Sequence, residues 1–295
     1  MTAASPAQDS PGKALSPGRP RDHIIDALIA ERAPRLAASI AWPVLRPLLY
    51  AFLDYAKARR MADAIRPLPG RAGLEHVSKL LSVRVHATGL ERVPPTGRAI
   101  VVCNHPTGIA DGIAVYDALK ATRPDVCFYA NSDAHRVSPG LIDVLIPVEW
   151  VEAKRTRERT RETLMLTREA MEAERCLVIF PSGRLARHQP GGKLADPPWA
   201  PSAVSLARKY DAPVVPIHVA GPWSGLFHVF DRFSGELRDI TLFHELLNKQ
   251  GRAFSLTVGP PIAPDALEGE PTEAIARLKA YVETLLPADP DRAFA

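Results

Sequence analysis

The segment NHPTGIADG, Asn104 to Gly112, holds a histidine and an aspartate at a spacing that suits acid–base chemistry. It follows the apolar run AIVVC, so His105 is expected at the carboxyl end of a buried strand, where open α/β sheets usually place their active sites. Gly108 permits a tight turn, and Asp111 stands six positions after His105, at the start of a predicted helix. A carboxylate at this spacing can reach the imidazole Nδ1, which leaves Nε2 as a general base.

A structural interpretation of the same residues stays open at this point. An aspartate at the start of a helix is a good N-cap, because its carboxylate accepts hydrogen bonds from free backbone N–H groups. His105 is then a loop histidine with ordinary hydrogen-bond partners. The segment alone does not decide between the two interpretations.

A second segment, FPSGRLAR over residues 180–187, directly follows the apolar run CLVIF. A Pro-Ser-Gly turn at a strand end exposes backbone N–H groups, and two arginines after it can bind a phosphate or carboxylate in bidentate fashion. The alternative is a solvated turn with unpaired arginines. The residues expected to contact substrate are Pro181, Ser182, Gly183, Arg184 and Arg187.

The elements that position these segments alternate from residue 83 onward. Short β-branched runs at 83–87, 99–103, 126–130, 145–150, 176–180, 213–219 and 254–258 are predicted strands, and 111–121, 156–174, 201–210 and 272–286 are predicted helices. This order predicts an α/β fold with a mostly parallel sheet flanked by helices. The run VVPIHVAGPWS is a predicted core strand, and its Pro216 indicates an edge or a bulge.

The N-terminal part of the chain differs from the rest in net charge and in composition. Residues 1–80 hold 12 basic and 7 acidic side chains, a net charge of +5, although the whole chain carries only +4. Residues 1–21 are rich in Pro, Ser, Ala and Gly, which predicts a disordered tail without a secretory signal. Residues 22–80 are predicted to be helical, to precede the α/β domain at 81–287, and to contact an anionic membrane surface. A loose tail is expected at 288–295.

The most apolar stretch runs from Leu36 to Tyr55 and has Arg46 near its centre. A charge at mid-bilayer is costly, so helices lying in the interface are favoured over a transmembrane span. A helix packed on the protein's own core is the other alternative. The features that suit a headgroup layer are three aromatics, Trp42, Tyr50 and Tyr55, and the flanking Arg32, Arg35, Lys57, Arg59 and Arg60.

Composition excludes several classes of protein. The 295 residues are 46% hydrophobic and 24% charged, ordinary values for a globular chain and unlike a disordered, collagen-like or polytopic membrane protein. Cys103, Cys127 and Cys176 lie in apolar runs and are expected to be reduced core thiols of a cytosolic protein. No basic stripe with interleaved aromatics is present, which disfavours nucleic acid as a partner. No metal motif or phosphate-binding loop occurs, so no metal or cofactor is expected.

Together the motifs resemble the glycerolipid acyltransferase superfamily, which includes bacterial lysophosphatidic acid acyltransferase. NHPTGIADG is similar to its catalytic His–Asp block, FPSGRLA to its FPEGTRS block and VVPIHVAG to its late VP-containing strand. The three occur in the family's order, and the resemblance covers residues 83–262. Five residues separate His105 from Asp111, against four in the usual block, a form similar to the hemolysin-like branch with its lyso-ornithine lipid O-acyltransferases. The stretch 236–252 is similar to the same branch.

The segment FPSGRLA departs from the family's FPEGTRS pattern. Ser182 stands where FPEGTRS has Glu, Leu185 stands where it has Arg, and Arg184 is displaced by one position. A further family block has no clear match; the region near it offers only Lys154 and Arg155. The acceptor therefore stays open between a lysophospholipid and a lyso-ornithine lipid.

The resemblance implies an O-acyltransferase with a His105–Asp111 dyad, acting on a lysolipid hydroxyl and on acyl-CoA or acyl carrier protein as thioester donor. Backbone N–H groups near Gly108 or Gly183 are the candidate oxyanion donors. The expected location is the cytoplasmic face of the inner membrane, held peripherally or monotopically. Two alternatives stay open: a lipid or thioester hydrolase with Ser182 as nucleophile, and a lipid-binding protein without catalysis.

Overall fold

The β-branched runs form one seven-stranded sheet with the order β1-β9-β8-β2-β5-β3-β4 in this computed structural model, which describes residues 22–149, 156–189, 192 and 194–295. Neighbouring strands are parallel except β8 and β9, which are antiparallel. The prediction of a mostly parallel α/β sheet is therefore confirmed. The strands are β1 Arg84–Thr88, β2 Ala99–Cys103, β3 Cys127–Asn131, β4 Leu145–Val148, β5 Cys176–Ile179, β8 Val214–Ala220 and β9 Ala253–Val258, and a small separate hairpin pairs β6 Arg187–His188 with β7 Leu194–Ala195.

Helices cover both faces of the sheet and bury an apolar core on each. The four predicted helices correspond to α6, α8, α9 and α13 with the short π-helix 281–285, and their ends differ by no more than two residues. The helices are α1 Ile24–Arg32, α2 Pro34–Ala37, α3 Trp42–Phe52, α4 Tyr55–Ile65, α5 Gly70–Leu81, α6 Ile109–Leu119, α7 Asp133–Val137, α8 Arg157–Glu172, α9 Ser202–Tyr210, α10 Gly225–Asp231, α11 Gly235–Ile240, α12 Leu242–Leu247 and α13 Pro271–Ala280.

Strand β2 lies at the centre of the sheet and sends alternate side chains into the two cores. Val101 and Cys103 face one core, and Ile100 and Val102 face the other. All of β2 is buried because it pairs with β5 on one side and β8 on the other. The residue that follows β2 by two positions, His105, is thus held at the carboxyl edge of the most constrained strand.

Pro216 lies inside the sheet and not at an edge, so of the two alternatives, an edge or a bulge, the structure has irregular pairing beside the proline. It pairs with Val102 of β2, and β8 also pairs with β9. The β9 side of the ladder is interrupted between Val258 and Ile262, where the Gly259 N–H donates to the Pro216 carbonyl at 2.9 Å. Because the proline nitrogen faces this interruption, its missing N–H leaves no ladder hydrogen bond unmade.

The N-terminal helices α1, α4 and α5 are part of the same core as one face of the sheet. Leu28, Met61, Leu74 and Leu81 are buried there. The predicted tail at 1–21 lies outside the described residues, as do Lys154 and Arg155. The three cysteines are buried and unpaired, as predicted, and burial raises the pKa of each thiol.

The apolar stretch 36–55 is divided among α2, α3 and the start of α4. Two of the aromatics predicted to lie at headgroup depth point elsewhere: the Tyr50 and Tyr55 rings stack at 4.1 Å and both hydroxyls donate to Asp26 of α1. Arg46 pairs with the same carboxylate at 2.9 Å. The side chains that α3 and the turn before it expose are instead aliphatic or phenyl: Ile40, Val44, Leu45, Leu48 and Phe52. Among the described helices, none has both the length and the apolar character needed to cross a bilayer.

Candidate active site

The imidazole of His105 and the carboxylate of Asp111 meet at the carboxyl edge of β2. The His105 Nδ1 lies 3.0 Å from Asp111 Oδ2. The Asp111 side chain is fully buried, whereas 15% of the His105 side chain is exposed. The structure thus brings together the two residues that the sequence predicted to act as a pair, with the histidine on the outer side.

Asp111 is held by the turn between β2 and α6. Its Oδ2 accepts hydrogen bonds from the backbone N–H groups of Thr107 at 2.8 Å and Gly108 at 3.0 Å, and its Oδ1 accepts one from the Thr107 hydroxyl at 2.6 Å. Gly108 has a φ of +90°, and a Cβ there would lie 3.2 Å from the Leu185 side chain, so the turn favours glycine. Three donors besides the histidine fix the carboxylate.

Asp111 is the third residue of α6 and not its N-cap. The expectation that it serves as the N-cap is therefore wrong. The N-cap is Gly108, and Asp111 reaches back to it as in a capping box. Capping accounts for the bond to the Gly108 N–H. It does not account for the bond to His105 Nδ1.

This arrangement defines the tautomer of the histidine. A carboxylate can only accept, so His105 Nδ1 carries the proton and Nε2 is left with its lone pair. Within the described chain Nε2 has no hydrogen-bond partner, and the Phe180 ring lies 4.5 Å from the imidazole, centroid to centroid. The site can therefore accept a proton from a hydroxyl at Nε2 and share the resulting positive charge with Asp111.

Neither glycine expected to stabilise an oxyanion has a free N–H. The Gly108 N–H donates to Asp111, and the Gly183 N–H donates to the Phe180 carbonyl at 2.9 Å. The N–H groups of the two glycines themselves are therefore engaged, because the tight turns that need glycine also use its donor. In the part of the chain that is described, the next two N–H groups along, those of Arg184 and Leu185, have no acceptor.

The turn after β5 places the other predicted residues around the histidine. The Ser182 hydroxyl donates to the Arg184 carbonyl at 2.8 Å and bonds to no described histidine, so the geometry gives the hydrolase alternative no activated serine. Pro181 is buried and its carbonyl accepts from the Ala200 N–H. The Ala186 N–H donates to the His105 carbonyl at 2.9 Å, which ties this turn to the end of β2.

The two arginines differ in their surroundings. Arg184 is exposed, whereas Arg187 is half-buried and its buried Nε has no hydrogen-bond partner among the described residues. Burial lowers the pKa of Arg187 most, and the positive charges of Arg238 and Arg184 lower it further. The carboxylates of Asp231 and Asp239 offset part of this lowering. A guanidinium kept partly from water, with no acceptor at its Nε, is a good receptor for an anionic group.

Sequence reasoning missed three groups that support the site. The Asn104 side chain bonds both the N–H and the carbonyl of Val219, which joins the ends of β2 and β8. Asp196 accepts from the His105 main-chain N–H. Glu245 and Lys249 form a buried ion pair at 2.9 Å, and Lys249 also donates to the Ser224 hydroxyl. Val219 and Asp196 are far from their partners Asn104 and His105 in sequence, so no local spacing indicated those two contacts.

The part of the chain that contains the site matches the sequence model of a known family. The model of the family described as Acyltransferase matches residues 84–220 of this chain. This range includes the His105–Asp111 pair, the turn after β5 and strand β8.

Two curated proteins with similar sequences are both lyso-glycine lipid O-acyltransferases. The one from Phocaeicola vulgatus is 28% identical over 196 residues, which are 64% of this chain and 68% of the relative. The one from Bacteroides thetaiotaomicron is 24% identical over 195 residues, which are 64% of this chain and 70% of the relative. Among solved structures, the crystal structure of the 1-acyl-sn-glycerophosphate acyltransferase from Thermotoga maritima has a TM-score of 0.48 and 15% identity, covering 92% of this chain and 98% of that one.

Proposed function

We propose that this chain, an acyltransferase of the glycerolipid acyltransferase superfamily, moves a fatty acyl group from an acyl thioester to a hydroxyl of a lysolipid. The observation that carries the proposal is the 3.0 Å contact between His105 Nδ1 and the fully buried Asp111 carboxylate. It leaves one basic nitrogen free at the edge of the sheet. The named activity of the two relatives, O-acylation of a lyso-glycine lipid, is of the same kind.

The reaction needs one group that takes a proton and returns it. His105 Nε2 removes the proton from the acceptor hydroxyl as its oxygen attacks the thioester carbonyl carbon. The new C–O bond forms, the C–S bond breaks, and the departing sulfur takes the proton back from the imidazolium. Asp111 holds the imidazole in the required tautomer and stabilises its transient positive charge. Acyl-CoA and acyl carrier protein both supply a suitable thioester.

We further propose that Arg187 and Arg184 bind an anionic group of the acceptor headgroup, with the turn Pro181–Gly183 shaping the entrance. The unpartnered Arg187 Nε supports this role for the arginine, since a phosphate or a carboxylate would satisfy it. The acceptors that fit are a lysophospholipid and a lyso-amino-acid lipid, of which lyso-ornithine and lyso-glycine lipids are examples. The names of the relatives favour the second class.

The test of the function is acyl transfer by the purified full-length chain. Labelled palmitoyl thioester, as CoA and as acyl carrier protein, is supplied with lysophosphatidic acid, lyso-ornithine lipid or lyso-glycine lipid, and the products are measured by mass spectrometry. We expect diacylated product from at least one acceptor, in proportion to enzyme. Release of free fatty acid without acylated acceptor would indicate a hydrolase, and no turnover with any pair would favour a binding protein.

We also propose that the chain works on the cytoplasmic surface of the inner membrane. The exposed apolar side chains of α3 and the turn before it, from Ile40 to Phe52, are where an interfacial contact would form. Substituting Val44, Leu48 and Phe52 by serine tests this without touching the core, whereas removing residues 1–60 would delete buried Leu28. We expect the triple variant to lose flotation with anionic vesicles. Equal flotation of variant and parent would contradict the proposal.

A further inference from the structure

Asp196 is a buried carboxylate whose contacts converge on the main chain of the histidine. It follows β7, and only 3% of it is exposed. Both carboxylate oxygens lie 3.1 Å from the His105 main-chain nitrogen, and Oδ2 also accepts from Trp199 Nε1 at 2.9 Å. Within the described chain it forms no ion pair with a lysine or arginine. A charge buried among neutral N–H donors is costly, so it is unusual as plain packing.

The hairpin β6–β7 holds the His105 peptide from both sides. Just before β6, the Ala186 N–H donates to the His105 carbonyl, and just after β7, Asp196 accepts from the His105 N–H. Asp196 is itself fixed, because its own N–H donates to Glu283 Oε1 at 2.8 Å. The hairpin therefore sets the position of the histidine independently of the Asp111 contact.

We propose that Asp196 is a positioning residue for His105, which fixes its main chain and adds a second negative charge beside the imidazole. The inference rests on the proposed function, in which the imidazole becomes positive during proton transfer. Asp111 supports that charge through the ring, and Asp196 supports it from the side of the backbone. A carboxylate close to a developing positive charge stabilises that charge.

The charge predicts the direction of a pH effect. The titratable and charged groups that face this cluster are His105 after β2, Asp111 in α6, Cys103 within β2, and Glu283 with its partner Lys279 from the C-terminal segment. Removing the Asp196 charge makes the imidazolium less favourable. The acid limb of the kcat/KM profile should then move to lower pH, while kcat on the plateau falls, because the transition state loses stabilisation.

The experiment compares three variants of the full chain: Asp196→Asn, Trp199→Phe and both together. Asparagine keeps the shape and removes the charge, but its NH₂ group would face either the His105 N–H or the indole N–H. The double variant removes that conflict of donors and serves if the single asparagine variant folds poorly. Trp199→Phe alone keeps the charge. Asp125→Asn, whose carboxylate binds Arg123 away from the site, is the control for lost stability.

We expect Asp196→Asn and the double variant to lower kcat by about ten-fold and to move the acid limb down by about half a pH unit or more. KM for the lysolipid should stay within about two-fold, and Trp199→Phe and Asp125→Asn should leave the limb in place. An unmoved limb in both asparagine variants overturns the proposal, whatever happens to kcat or stability. Normal turnover by folded His105→Ala would instead overturn the proposed function.

Discussion

Replacing Asp111 with asparagine separates a catalytic carboxylate from a helix cap. Asparagine can place its carbonyl oxygen where Oδ2 accepts from His105, Thr107 and Gly108, and its NH₂ group can donate to the Thr107 hydroxyl after that hydroxyl rotates. The geometry therefore survives, and only the charge is lost. Asp117→Asn, two turns further along α6 and bonded to Ser78, is the matched control.

The expected loss of stability is modest. Three N–H bonds to the carboxylate become bonds to a neutral oxygen, each weaker by about 1 kcal/mol. The variant no longer buries a charge, which offsets part of this cost. The free energy of unfolding should therefore decrease by about 1–3 kcal/mol. The loss of rate should be larger, because the imidazolium loses its counter-charge: about 10²–10⁴ in kcat, or about 3–5 kcal/mol.

The assay is acyl transfer from a thioester to the preferred lysolipid, with thermal unfolding followed by circular dichroism. If Asp111 only caps α6, asparagine keeps the capping contacts and turnover should be unchanged, whatever the loss of stability. A folded Asp111→Asn variant with turnover near that of Asp117→Asn would refute the catalytic reasoning.

Three further outcomes follow from the same contacts. Arg187→Ala should raise KM for an anionic lysolipid about ten-fold with kcat unchanged, and Arg184→Ala less; equal KM values for parent and variant would contradict headgroup binding. Lys249→Met leaves Glu245 as an unpaired buried charge and should cost about 3–5 kcal/mol in denaturant unfolding, whereas a cost below 1 kcal/mol would show that the pair is dispensable. Burial raises the pKa of Asp196 from 3.8 to about 6, so the folded state holds this proton more tightly. Relative to Asp196→Asn, the free energy of unfolding of the parent should fall by about 2 kcal/mol from pH 4 to pH 7, and a flat difference across that range would contradict the shift.

The sheet could be predicted because its strands are short, apolar and β-branched, and each strand is visible in its own few residues. Helices α6 and α9 could be predicted because their apolar periodicity also lies within their own residues. The His105–Asp111 pair lies within one turn, so the spacing of two residues was enough to place them together.

The rest of the site depends on contacts that no local pattern contains. Asp196 lies 91 positions after His105, and its hairpin is only two residues long on each side. Glycine at a tight turn indicated free N–H groups, yet the turn itself uses them, as at Gly108. The hydroxyls of Tyr50 and Tyr55 both bond the half-buried acid Asp26 of α1, a contact that the composition of the 36–55 stretch does not indicate.

The most direct test of the account is turnover by the full-length His105→Ala variant beside the parent. His105 lies past the end of β2, so the variant should keep the parent's circular dichroism spectrum. The account predicts that formation of acylated lysolipid from a labelled thioester falls by about 10²–10⁴, because the group that takes the hydroxyl proton is gone. Near-normal formation of that product by a folded variant would contradict it.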